Sequence, residues 1–536
     1  MNAAGVPMLG SNPIADGPGE GGVRGGQRMC GAFSIETFVN QPALSLTHED
    51  ATGWLDYLRR WYVPNFHFQD GGVQVWAYEE DYDNYQDTYG LDAVLAVYHS
   101  GHGGMSADGV FFAPLGGTWS ERSDAMSTNM RLGNEFVNYV FWSTCNSLRV
   151  KEGHDPIRTW HPANLGFRML FGFETTSVDN GDYGRFFWEE YNRPKSFGRA
   201  WLDASWRISQ AQEPSVLAVG ANGQETTARL EQERLLEWGH VSNAWYQWLW
   251  YDRARAGADP QGLAPRNLEL PRELLVAELT PPAQSLERLR DIAARHGVDL
   301  PEPSGPRAGL LVAEDDGRAL SVSPDGRYEL RLGEANADNT EALPVEEARR
   351  RAADLLGEHG LDRDVDVDFD TVRHTMSAGG APDEGPRDEP RVLETTVQFR
   401  QVINGLPVVS QDAGDVRVTL DNDGTLIRIE NTTRTVEQLS DRPKTAVPPP
   451  GGDSAGLQPR AGGDPDDLLS QAWRSHRAPA AQSEQTAGSA EPVPGTTEVG
   501  YHVRGNEGKL VARREVEVDF GGGIRKRYEV IAPIVE

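Results

Sequence analysis

At 536 residues the chain is too long for one core, and two or three domains are expected. Its formal net charge of −30 argues against non-specific nucleic-acid binding and against an anionic membrane surface, so neither is an expected partner. Two cysteines, Cys30 and Cys145, exclude a disulfide framework, and no run of 18 apolar residues offers a transmembrane helix, so a reducing, cytoplasmic location is expected.

Residues 1–29 are Gly-rich and lack a basic start followed by an apolar stretch. They read as a disordered leader and not as a secretory signal. Thirteen of the 14 tryptophans lie before Arg253, which assigns a large aromatic core to the N-terminal half. Within residues 30–255 strand and helix signals alternate. Gly31–Val39 reads as a short strand. Leu46–Tyr62 has helical spacing, with Thr47 placed to cap it and Glu49 and Asp50 in its first turn. Val73–Tyr78 reads as a strand. Leu91–Tyr98 is a nearly continuous apolar run, as a central parallel strand requires. Gly109–Pro114 suggests a small hairpin arm. Phe136–Ser143 and Phe167–Phe173 are further buried runs, Tyr183–Tyr191 and Ser196–Gln210 look helical, and Ser215–Val219 is another strand. Such alternation predicts an α/β sheet with helices on both faces, whose sites form at the carboxyl ends of strands.

Beyond residue 255 the pattern changes. Leu270–Leu279 and Ser285–His296 have helical periodicity and suggest a helical connector over 256–310. Ala319–Leu332 reads as a hairpin around Pro324-Asp325-Gly326, and Pro344–His359 as an amphipathic helix. Arg391–Val402 and Pro407–Val409 flank Asn404-Gly405, a strong turn signal, and Asp415–Leu420 and Thr425–Glu430 flank Asn422-Asp423-Gly424. An α+β module over 311–440 follows. Residues 441–496 are rich in Pro, Gly, Ala, Gln and acids and read as a disordered linker with one helical turn near Asp467–Trp473. The segment 497–536 is β again: Val499–Val503, Leu510–Phe520 and Ile524–Ile531, with Gly521-Gly522-Gly523 as the turn.

Two of the buried runs end at reactive residues. Leu91–Tyr98 leads into His99-Ser100-Gly101-His102-Gly103-Gly104, and Phe136–Ser143 leads into Thr144-Cys145. A thiol beside an imidazole is the minimum kit for nucleophilic catalysis, because the imidazole takes or shares the thiol proton during attack. Alone, Cys145 is more simply read as a buried, inert strand end. A histidine bracketed by glycines, which allow a sharp turn and close approach of a substrate backbone, favours the catalytic reading. His99, His102, His154, His161 and Cys145 match no recurring zinc spacing, so no metal or other cofactor is expected. Ser100 and Ser143 lack a nucleophile-elbow context, and no Gly-Lys-Ser/Thr follows Gly101–Gly104 to make a phosphate loop.

At these residues the sequence resembles the caspase-like cysteine peptidases, which include caspases, metacaspases and gingipains. Their signature is an apolar strand ending in His-Gly, then a second ending in a small residue and Cys. Val94–Tyr98 with Ser100-Gly101-His102-Gly103-Gly104 resembles the histidine motif, and Tyr139–Cys145 the cysteine block. Phe186–Trp188, Ser196–Trp201 and Ala204 resemble the later helix before a final strand. The resemblance covers residues 30–255 and implies a caspase-like, mostly parallel sheet and a cysteine endopeptidase. By position, Cys145 would be the nucleophile and His102 the general acid, with the N–H groups of Gly103 and Cys145 stabilising the oxyanion. Glu36 and Asp179 fall where the group recognises the substrate's first side chain, and two carboxylates would favour Arg or Lys before the cut. Asn146-Ser147 follows the cysteine without an acidic pair, so calcium dependence is not implied. Phe399–Gln401, Asn404–Val408, Val416–Leu420 and Asp423-Gly424 are similar to PepSY and fungalysin/thermolysin propeptide domains, which implies that the C-terminal half is an intramolecular regulator or inhibitor. The expected partner is a protein or peptide substrate. The alternative is a catalytically inactive caspase-like scaffold that binds peptides or proteins.

Overall fold

The computed structural model describes residues 28–80, 89–254, 270–303, 306–307, 309–315, 317–382, 385, 387–441, 464–477 and 489–534. Residues 1–27 of the expected leader lie outside the described residues, as do 442–463 and 478–488 of the expected linker. Among the described residues, no helix is long and apolar enough to cross a membrane.

Strand and helix mix around a large sheet, so the α/β class holds at that level. Five strands run parallel in the spatial order Phe66–Gln69, Cys30–Ser34, Ala96–Ser100, Tyr139–Ser143, Met169–Phe173. Four of them are buried along their whole length, which explains their nearly continuous apolar composition. Pro214–Gly220 and Trp245–Arg253 then add antiparallel. The 15-residue strand Asp366–Gly380 pairs with Trp245–Arg253 from Arg373–Arg253 to Gly380–Tyr246. The same sheet therefore continues into Arg391–Ile403, Asp415–Asp421, Leu426–Asn431, Tyr328–Arg331, Arg318–Val322 and Leu310–Asp315. Helix Val345–Glu358 closes this second part, burying Ala348, Ala352 and Leu355 in one cluster with Val397, Phe399, Val416 and Val418.

Helices do not cover both faces of the parallel strands equally. Thr47–Leu58, Tyr183–Asn192 and Phe197–Ile208 bury Trp54, Phe187 and Trp201 against Tyr98, Phe141 and Phe171 on one face. Phe141 and Phe171 stack at 4.1 Å between centroids there. The other face, with Phe33, Val97, Val140 and Trp142, is covered by a small sheet (Gly104–Met105, Phe111–Trp119, Arg122–Met126), the short helix Pro156–Trp160, and beyond them a C-terminal sheet. In that last sheet Glu507–Gly521 pairs with Glu498–Arg504 and Ile524–Pro533, and Val276–Leu279 bridges it to Val436–Ser440.

Four local expectations change. Thr47 is the first helical residue and not the cap; Leu46 holds the cap position without a side-chain bond, and the buried Thr47 hydroxyl has no partner. Val73–Tyr78 forms tight turns instead of a strand: Ala77 N–H donates to Gln74 O and Tyr78 N–H to Val75 O, each at 3.0 Å, while Val73, Val75 and Tyr78 still fill the core. The helical spacing of Leu270–Leu279 yields to sheet pairing at Val276–Leu279, which sits between two strands and buries Val276, Ala277 and Leu279. Between 464 and 477 the chain forms helix Pro465–Arg477, several turns long, because Leu469 and Trp473 pack onto the C-terminal sheet, Trp473 at 5.8 Å from Tyr528.

The first and second parts of the large sheet are tied by a buried ionic network. Lys195 Nζ lies 2.7 Å from Glu190, 2.8 Å from Asp203 and 2.7 Å from Glu329. Arg327 and Arg207 each reach Glu190 at 2.8 Å, and Arg373 reaches Asp203 at 3.0 Å. These cations hold the Glu190 and Asp203 carboxyls well below the usual range against the cost of burial. Removing one member leaves the others buried and uncompensated. Lys195→Met is therefore expected to destabilise the chain by about 3–5 kcal/mol in denaturant unfolding; an unchanged midpoint would show that the network carries no such constraint.

Candidate active site

Register places the two motif residues. Ala96–Ser100 and Tyr139–Ser143 are adjacent and parallel, with Ser100 opposite Ser143. His102 and Cys145 each follow two residues beyond that pair, at the same carboxyl edge. The incoming end of the histidine strand is tied by the buried Asp92 carboxylate. It accepts N–H groups from Gly133, Glu135, Phe136 and Val137 and so links this strand to the start of the cysteine strand. At the outgoing end Gly103 lies against the cysteine loop: a Cβ there would come within 2.8 Å of the Cys145 carbonyl oxygen and of Thr144. Only glycine permits that approach. Just past the thiol, Asn146 has a left-handed φ of 55°, which turns the chain away. The N–H groups of Gly103 and Cys145 have no hydrogen-bond acceptor among the described residues.

His102 is fully buried. Its Nε2–H donates to the Pro42 carbonyl at 3.0 Å, and Nδ1 has no partner. Phe38 stands 4.6 Å from the ring centroid on one side and Phe520 5.6 Å away on another. Burial first, and the nearby charge of Lys526 second, lower its pKa to about 3, so the imidazole is neutral at pH 7. His99, also buried, bonds Tyr78 through Nδ1 at 2.7 Å.

Cys145 is equally closed off. Its Sγ accepts the Ser177 N–H at 3.3 Å and lies 3.4 Å from the Ser177 hydroxyl. That hydroxyl accepts in turn from Lys526 Nζ at 3.1 Å. Cys30 opens the strand Cys30–Ser34, where burial pushes its thiol up to about 12. The two thiols thus differ in surroundings: Cys30 is packed among apolar side chains, and Cys145 faces polar groups.

The specificity candidates Glu36 and Asp179 flank the loop between residues 36 and 45. The Glu36 carboxylate is 3.9 Å from His48 Nε2, and its own N–H bonds Asp70. Asp179 caps the same loop from the other side, accepting the Ser45 N–H at 3.0 Å. Lys526 forms no ion pair with either, or with any other described carboxylate. Sequence reading missed Asp50 as a site residue. Assigned only to the first turn of a helix, it is fully buried beneath the histidine strand and accepts from Tyr98 OH at 2.7 Å, Ser100 OH at 2.7 Å and Gly184 N–H at 2.8 Å. The signal available in the sequence was the pair of hydroxyls on Tyr98 and Ser100, alternate residues that point to one face of their strand. Among the described residues, no three His, Cys, Asp or Glu side chains gather as a metal site.

Residues 32–252 match a family model described as a domain of unknown function, DUF6345. The match spans the parallel strands, both motifs and the antiparallel return to the sheet, and it carries no activity with it. No curated protein matches the chain.

Burial raises the Asp50 carboxyl to about 6, above its ordinary 3.8, against the pull of its hydrogen bonds. Between those values the folded chain binds more proton than the unfolded one, so this group's contribution to stability falls as pH rises through that window. Asp50→Asn has no such titration. Its stability relative to wild type should improve by about 3 kcal/mol between pH 3.5 and 7. Urea midpoints at both pH values test this, and a constant difference would contradict it.

Proposed function

We propose that the chain is a cysteine endopeptidase of caspase-like architecture, with Cys145 as nucleophile and His102 as its acid–base partner. The supporting observation is the register: two adjacent parallel strands deliver a histidine and a cysteine to one edge at equal depth, with Gly103 closed onto the Cys145 backbone. Cys145 Sγ attacks a peptide carbonyl carbon, forming a C–S bond. Its proton passes to the Nδ1 lone pair of His102 and then to the departing amine as the C–N bond breaks. The uncommitted N–H groups of Gly103 and Cys145 suit the oxyanion. Water then hydrolyses the thioester and returns the thiol. No metal takes part in this scheme. The substrate is a protein or peptide, and the PepSY-like and C-terminal parts act as an intramolecular regulator. A preference for a basic residue before the cut, with Glu36 and Asp179 as its recognition groups, belongs to the same reading.

A second reading has its own support. The imidazole and the thiol are both sealed, and His102 is held neutral, as suits a caspase-like scaffold that binds peptides or partners without turnover.

Peptides with Lys or Arg before a fluorogenic leaving group, offered to the full chain and to Phe520→Ala, separate the two. Under the peptidase reading Phe520→Ala cleaves them, and Cys145→Ala in that background lowers kcat/KM at least about 1,000-fold. Equal turnover with and without Cys145 contradicts the reading, and absence of turnover in every form favours the scaffold.

A further inference from the structure

The C-terminal strand Ile524–Pro533 enters the cleft in the manner of a bound peptide. Arg527 and Val178 form a parallel bridge. The Arg527 N–H donates to Ser177 O at 3.2 Å, and its carbonyl accepts from Asp179 N–H at 2.7 Å. Main-chain bonds of this kind are how an added strand binds, and alternate side chains then decide which sequence fits. The half-buried Arg527 guanidinium instead reaches Glu517 at 2.8 Å and the Ala211 carbonyl at 2.5 Å. Lys526 turns inward. It is 3% exposed, and its Nζ rests on Ser177 Oγ, the hydroxyl that also lies beside Cys145 Sγ.

The other strand of the hairpin completes the closure. Phe520 meets the edge of the His102 ring, and the turn passes over Gly104, where a Cβ would lie 3.1 Å from Gly523 O. Gly521, Gly522 and Gly523 have φ of 82°, 63° and 85°, so the tight reversal depends on glycine. A lysine buried without a carboxylate is an expensive choice for stability alone. The position does suit a pocket made for such a side chain: it ends in a hydroxyl and offers no paired acceptors for a guanidinium fork.

We propose that the groove beside Cys145 binds extended peptides that present a lysine, and that residues 520–527 occupy it in cis until the hairpin lifts. The inference rests on the reading of this edge as the substrate site. Lifting the hairpin removes both the burial and the Lys526 charge that hold His102 neutral, so opening and recovery of the imidazole's ordinary basicity are one event.

The experiment alkylates the full chain with two peptidyl chloromethyl ketones, one ending in Lys and one in Glu, and follows Cys145 by mass spectrometry with Cys30 as the internal control. Wild type should react slowly with both. Phe520→Ala combined with Lys526→Ala should react at Cys145 at least about 100-fold faster, and with the Lys reagent at least about 10-fold faster than with the Glu reagent, leaving Cys30 unmodified. Equal Cys145 rates in wild type and variant, or equal rates with the two reagents, overturn the proposal. If Cys30 is labelled together with Cys145, the double variant has unfolded and Lys526→Met, which keeps the side chain's length, decides by the same two comparisons. Alkylation needs a reachable thiol and no turnover. Lys-selective labelling without peptide cleavage therefore overturns the peptidase reading alone, while Cys145-dependent cleavage with no effect of the hairpin variants overturns this inference alone.

Discussion

Everything at the candidate site depends on the parallel pairing of Ala96–Ser100 with Tyr139–Ser143. A parallel ladder fixes the relative height of two strands along their whole length, so the loops that follow leave the sheet side by side. A slip of one residue would turn His99 and Trp142 onto the opposite face and carry His102 and Cys145 out of step. Several groups guard against it. Asp92 ties the entrance of one strand to the entrance of the next, and Asp50 collects Tyr98, Ser100 and Gly184 beneath the exit. The stacked Phe141 and Phe171 lock the following pair from the helical face. The motif residues inherit their position from this framework and contribute little to it.

On the proposed reading the same edge carries the opposite requirement, because a reactive site needs access and this edge is covered. Polar atoms are left over there: Nδ1 of His102 and the N–H groups of Gly103 and Cys145 have no partners among the described residues. Buried polar groups ordinarily find partners, and on the proposed reading these are the ones a substrate would satisfy. The hairpin shields these atoms with Phe520 and a glycine turn while satisfying few of them. It is held to the rest of the chain by two main-chain bonds at Arg527, a bond from the Arg527 guanidinium to the Ala211 carbonyl, the lysine–serine bond, and burial of Tyr528 and Val530 in the core.

How much of this could be read from the residues alone follows from the range of each interaction. Both strand ends were legible because a buried parallel strand announces itself as an apolar run and a glycine bracket announces a turn. Asn404-Gly405 was legible for the same local reason and adopts φ of 51° and 77°. Helices read by spacing, such as Val345–Glu358 and Leu286–Arg295, held to within a residue or two. The losses are non-local. Trp245–Arg253 and Asp366–Gly380 were not read as strands, since their pairing joins segments more than a hundred residues apart and the second is rich in charge. Val276–Leu279 looked helical until two distant strands claimed it. Ser177 and Lys526 stand 349 residues apart in sequence, and no local pattern links them.

If Cys145 and His102 act as one unit, their removal should not be additive. The decisive measurement is a double-mutant cycle on peptide hydrolysis in the Phe520→Ala chain, comparing Cys145→Ala, His102→Ala and the combination. Each single change should lower kcat/KM to nearly the same floor, and the double change should add less than about 1 kcal/mol beyond either. Losses that sum across the two residues, or a His102→Ala chain that keeps its activity, would contradict the account.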